Sequence, residues 1–157
     1  MAERLRYVHL SAIDFQDFVE IIFGIFFGVM VFLGASELWN IGAILNDVLV
    51  VGIVIINFVL LYLLTKFISN IYKSRGIFFV ESVRYPIERS AIVYIVGFFV
   101  SLLIIFWMKQ MGVLNSFIKL SVAGFLPDYL RIAVFANLFA TLFAITIDLL
   151  IVDRTIT

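Results

Sequence analysis

The chain has 157 residues, 64% of them hydrophobic and only 14% charged, where a soluble domain carries roughly a quarter charged residues to cover its surface. Its formal net charge is zero, so no overall basic or acidic field points to a nucleic-acid partner. Cysteine is absent and His9 is the single histidine, which excludes a disulfide framework, a thiolate metal site and a cysteine nucleophile, and predicts no metal or cofactor.

The first residues are polar and mixed, with Arg4 and Arg6 near the start. Ser11 followed by Asp14 resembles a capping box with Asp in place of Glu or Gln, so a helix is predicted from near Ala12, its apolar part covering 19–36. A short connection follows, holding Glu37, Trp39, Asn40, Gly42, Asn46 and Asp47 but no Lys or Arg. The second apolar run, 48–65, is aliphatic and β-branched. Its length decides for a helix, because about 20 residues at 1.5 Å rise cross a bilayer core of about 30 Å. Residues 66–90 are the most polar interior stretch, with Lys66, Lys73, Arg75, Arg84 and Arg89. The third span is predicted over 91–108 and the fourth over 132–152. Between them, Val113–Phe125 is too short to cross and too apolar for an open loop. It reads as an interfacial or re-entrant helix ended by Gly124 and Pro127.

The predicted fold is therefore all-α: one transmembrane domain over 1–157, a four-helix bundle in the cell membrane. With the N-terminus inside, the inner segments hold Arg4, Arg6, Lys66, Lys73, Arg75, Arg84, Arg89 and Arg154, and the outer ones only Lys109, Lys119 and Arg131. The positive-inside rule then puts both termini in the cytoplasm. Trp39 and Trp107 fall at the outer ends of the odd-numbered spans, where an aromatic belt would stand. Gly24-Ile-Phe-Phe-Gly28 and Gly97-Phe-Phe-Val-Ser101, with Asn57 and Asn137 in the following spans, suggest a duplicated helical hairpin; low-diversity apolar sequence gives the same likeness by coincidence.

Polar side chains inside a span need a partner or water, so polar faces are where chemistry would sit. The first span aligns Asp17, Glu20, Gly24 and Gly28; the third aligns Ser90, Tyr94, Gly97 and Ser101. The fourth aligns Asn137, Thr141 and Asp148 with alanines between them. Such stripes commonly pack helices, with Gly24, Gly28 and Gly97 letting backbones approach. The alternative is a hydrated path lined by Asn137, Thr141, Asp148, Ser101 and Asn57. Asp14, Asp17 and Glu20 would form an acidic inner mouth, and Glu37 and Asp47 an outer one. Carboxylates in the first turns of a helix are also what the helix dipole favours.

The stretch Gly24-Ile-Phe-Phe-Gly28 followed by Glu37-Leu-Trp39-Asn-Ile-Gly42 resembles a family of uncharacterised prokaryotic integral membrane proteins, whose glycine-rich first span ends in a Glu-x-Trp-x-x-Gly pattern. The resemblance implies membrane class and transfers no activity. Motifs of enzymes are absent: no phosphate-binding glycine loop, no HExxH and no serine in a nucleophile elbow. The expected function is a small channel or transport protein for an ion, a cation above all, or a small solute. It would work as a homo-oligomer in the lipid bilayer, because four spans leave little room for a cavity in one subunit. The alternative is a non-transporting scaffold or regulatory subunit.

Overall fold

The computed structural model describes residues 15–74, 85–113 and 125–154. Among these the chain is all-helical: α1 Phe15–Gly34, α2 Ser36–Ile44, α3 Asp47–Ser74, α4 Tyr85–Gln110 and α5 Asp128–Arg154. Three stretches, Asp47–Ile71, Pro86–Gln110 and Asp128–Ile147, are long and apolar enough to cross a membrane. Their outward faces carry large apolar groups in the open, among them Val48, Ile55 and Phe67 on α3 and Phe99, Leu103 and Trp107 on α4. Contiguous apolar surface of this extent belongs against lipid rather than water, consistent with a membrane protein.

The helix α5 is the axis of the bundle. Every other described helix packs on it, and over half of its apolar window is buried, against 22% in α3 and in α4. The reason is in its sequence. Ala133, Ala136, Ala140 and Ala144 are all buried, and short side chains let neighbours approach on several sides at once. The closest approach is to α1. A Cβ added to Gly24 would stand 2.5 Å from the Cα of Ala144, and one added to Gly28 would stand 2.6 Å from the Cα of Ala140. Ile21, Ile25 and Val29 of α1 fill the space beside this seam together with Leu61, Val93 and Ile145.

The connection over 37–47 differs from the loop that its polarity suggests. Ser36–Ile44 is a helix that turns 95° away from α1. The bend follows from Gly34 and Ala35. Ala35 N–H donates to the carbonyl of Phe32, and Leu38 N–H to that of Ala35, so a tight turn replaces the next turn of α1. Trp39, which is buried, donates its indole N–H to the same Phe32 carbonyl at 3.0 Å. That carbonyl is one of the last-turn acceptors that a helix end leaves without an intrahelical donor. Gly42 then lets α2 rest on α5, where a Cβ would meet Ile132 at 3.2 Å. The Glu-x-Trp-x-x-Gly pattern is thus a folding-back device: the Trp ties down the end of α1, and the Gly seats the returning helix.

The later spans α3, α4 and α5 run past their predicted bounds, since polar ends prolong the helices beyond the apolar runs, whereas α1 ends at Gly34, two residues short of the expected 36. Asn46 caps α3, its Oδ1 accepting the N–H of Leu49 at 2.8 Å. The helix expected over Val113–Phe125 falls almost wholly outside the described residues.

Candidate functional site

Asn57, Ser101, Asn137 and Thr141 are brought together inside one bundle, each buried to within 1% of complete. Asn57 follows the start of α3 by ten residues, about 15 Å along a helix. Ser101 precedes the end of α4 by nine residues, and Asn137 follows the start of α5 by nine, each about 14 Å. Three helices therefore present polar groups at about the same height of the bundle, roughly half the length of a membrane span from the helix ends.

The contacts are specific. Thr141 Oγ1 lies 2.9 Å from Asn57 Oδ1, joining α5 to α3, and 2.8 Å from the carbonyl oxygen of Asn137. Gly97 closes the cluster on the α4 side. A Cβ there would meet Asn137 Oδ1 at 2.5 Å and Thr141 Cγ2 at 3.0 Å, so a side chain at this position would push the amide from its place. The Tyr94 side chain adjoins the Asn137 amide, but neither amide atom of Asn137 reaches hydrogen-bonding geometry with a protein group. Asn57 Nδ2 and Ser101 Oγ are buried and without a partner as well. A buried polar atom left unpaired costs about 1–3 kcal/mol, and three side chains doing so at one depth is unusual in a native interior.

Toward the start of α4, the hydroxyls of Ser90 and Thr65 stand 3.3 Å apart, and Ser90 Oγ donates to the Pro86 carbonyl at 2.6 Å. This contact fastens α4 to α3 and leaves Ser90 fully committed.

Of the acidic candidates, only Glu20, Glu37 and Asp47 have described side chains. Asp14 lies outside the described residues. Asp17 belongs to α1 and Asp148 to α5 by backbone, but their side chains lie outside the described set. Glu20 is half-buried on α1 and Glu37 is exposed in the first turn of α2.

Asp47 has a different task. Its Oδ1 accepts from Arg131 at 3.1 Å and its Oδ2 from the backbone N–H of Phe125 at 2.8 Å. Arg131 is wholly buried, although its place in the chain suggests an outer connection. Two facts in the sequence bear on the pair. An Arg in the first turn of a helix sits at the wrong end of the dipole and calls for a carboxylate, and Asp47 opens the helix that begins at the same end of the bundle. Close by, Lys109 Nζ lies 4.4 Å above the ring of Tyr129, within cation–π range.

Among the described residues no group of His, Asp and Glu side chains is arranged to hold a metal ion. The arrangement offers a neutral, polar, buried centre crossed by three helices, with an ion pair binding the end of the bundle where α3 and α5 begin. Comparison with protein-family models, with curated proteins and with solved structures returned no match, so the functional reading of this chain rests on its own geometry.

Proposed function

We propose that the protein is a four-crossing membrane protein, with both termini in the cytoplasm, that moves a small ion or polar solute through the interior of its own bundle. The observation that carries this reading is the set of unpartnered buried atoms on Asn57, Ser101 and Asn137 at one depth of three helices. Transport proteins place their sites near the bilayer midplane and bring broken helices to them. The bent pair α1–α2 folds back beyond the polar centre, and its short arm covers the start of α5 at Gly42. The fourth crossing is α1. It runs beside α5 through the Gly24–Ala144 and Gly28–Ala140 contacts, so it shares the depth of the helix that it touches. The polar groups all face inward within one chain, and a homo-oligomer would add copies of the path rather than build it.

Flux through purified protein in liposomes tests the reading. Asn137→Leu fills the centre with an apolar side chain and is expected to abolish flux while the protein stays helical and monodisperse. Flux unchanged in a folded Asn137→Leu variant would sink the proposal.

One observation favours the non-transporting scaffold instead. The Thr141–Asn57 contact and the tight seat of Asn137 on Gly97 are what an interhelical packing seam would use. On that reading Asn137→Leu lowers stability alone, and wild-type liposomes show no flux for any ion or solute.

A further inference from the structure

Thr141 carries one hydroxyl proton and has three oxygens within reach: Asn57 Oδ1 at 2.9 Å, the Asn137 carbonyl at 2.8 Å and the Leu138 carbonyl at 3.2 Å. A hydroxyl donates once and accepts otherwise. Bonding back to the carbonyl four residues earlier is the ordinary course for a helical threonine, and 2.8 Å is a full-strength O–H···O distance. With the proton spent there, Asn57 Oδ1 faces a lone pair at 2.9 Å and is repelled. Turning the Asn57 amide over removes the conflict. Nδ2 then donates to Thr141 Oγ1, and Oδ1 takes the position without a partner. The two ends of an amide have nearly the same shape, so the hydrogen-bond network decides between them.

The exchange changes the chemistry of the centre. The unpartnered atom of Asn57 becomes an acceptor, beside Asn137 Oδ1 and Ser101 Oγ, which are themselves buried and unpartnered. Asn57 meets α5 at Thr141, one turn from Asn137; Gly97 faces both, and Ser101 stands one turn from Gly97 on the same face of α4. Three helices thus contribute neutral oxygens within about one turn on either side of the Gly97–Asn137 contact. No described acidic side chain lies at this depth. Hard, uncharged oxygens replace the hydration shell of an alkali cation. A divalent ion would bring a second charge with no carboxylate to offset it.

We propose that the centre binds a small monovalent alkali cation, held by oxygens of Asn57, Ser101 and Asn137 while the Asn57 amide donates to Thr141. This names the cargo for the transport reading above and rests on it, but binding is measured separately from flux. The full-length protein is unfolded thermally in detergent, in sodium chloride and in choline chloride at matched concentration. Sodium is expected to raise the midpoint saturably above choline, since a ligand that binds only the folded state stabilises it. Ser101→Ala should raise the half-saturating sodium concentration about tenfold, and Asn57→Asp, which keeps the oxygen and adds charge, should lower it. Equal midpoints in sodium and choline overturn the proposal, as does an Asn57→Asp variant that folds and responds less to sodium. Should Asn57→Asp fail to fold, the wild-type salt comparison and Ser101→Ala still decide. Sodium-specific stabilisation without uptake of radioactive sodium by liposomes removes the transport reading and keeps the site. Passage of a neutral solute such as urea, indifferent to sodium, does the reverse.

Discussion

Arg131 and Asp47 show how a single pair can fix the end of a bundle. Arg131 is fully enclosed at the dipole-disfavoured end of α5, and its carboxylate partner is about one-third exposed. Removing one member of a buried pair costs about 3–5 kcal/mol because the other charge is stranded. Asp47→Ala should cost less than that range, since water already reaches the carboxylate and Arg131 has a further interaction of its own. It also leaves the Phe125 N–H without its acceptor. Arg131→Met on top of Asp47→Ala should recover part of the loss, because no buried charge then remains, although the Phe125 N–H still lacks its acceptor. Chemical unfolding of the two single variants and the double variant in micelles measures this coupling. The indole of Trp39 is a gentler case. Trp39→Phe keeps most of the apolar contact but loses the bond to the Phe32 carbonyl, which retains the Ala35 N–H. A destabilisation of about 0.5–1.5 kcal/mol is expected by the same measurement.

Helices in this chain meet through what their sequences lack. Gly24 and Gly28 oppose backbone atoms of α5, which cannot swing aside as a side chain would. Gly24→Ala and Gly28→Ala should each force α1 off α5 and lower the unfolding midpoint sharply, and Leu at either place should prevent folding. Gly52 offers the opposite control. It lies inside α3 with open space where a Cβ would go, so Gly52→Ala should stabilise by about 0.5–1 kcal/mol through helix propensity alone. A stable Gly24→Ala variant would show that the α1–α5 seam is looser than its geometry. The existence of the apolar helices was legible from hydropathy, and the polar stripe of α5 from its spacing. The helix α2 was not. Its nine residues, Ser36–Ile44, are too few for periodicity to stand out, and their polarity imitates a loop. The Arg131–Asp47 pair was hidden for another reason: it joins residues 84 apart, and no local pattern in either helix names the other.

At the scale of the molecule, the proposed arrangement puts α2 and the α4–α5 connection on one side and the α3–α4 connection on the other. Single cysteines labelled from outside intact cells should react at positions 38–46 and 112–128, with residues 1–10, 70–88 and 155–157 protected until the membrane is permeabilised. Buried positions such as 39 and 42 will label slowly on either side. Termini found on opposite sides would mean that α1 does not cross and would reduce the spans to three. Charge counting favoured this orientation even though Arg131, one of the outer cations, is spent on an ion pair. The rule tolerates that, because the inner segments hold most of the remaining Lys and Arg.

The centrality of α5 also bears on how the protein is made. The helix on which all the other described helices pack is the last of them to leave the ribosome. Until it arrives, Gly24 and Gly28 have no backbone to rest on, and Asn57 and Ser101 face hydrocarbon with nothing to meet. The nascent α3 and α4 can already join through Ser90 and Thr65, whereas the polar centre and the seat of α1 close only when Asp128 and the residues after it enter the bilayer. A nascent chain stalled before residue 125 should remain crosslinked to the insertion machinery and sensitive to protease. One stalled well beyond residue 154 should let go and become resistant in a single step.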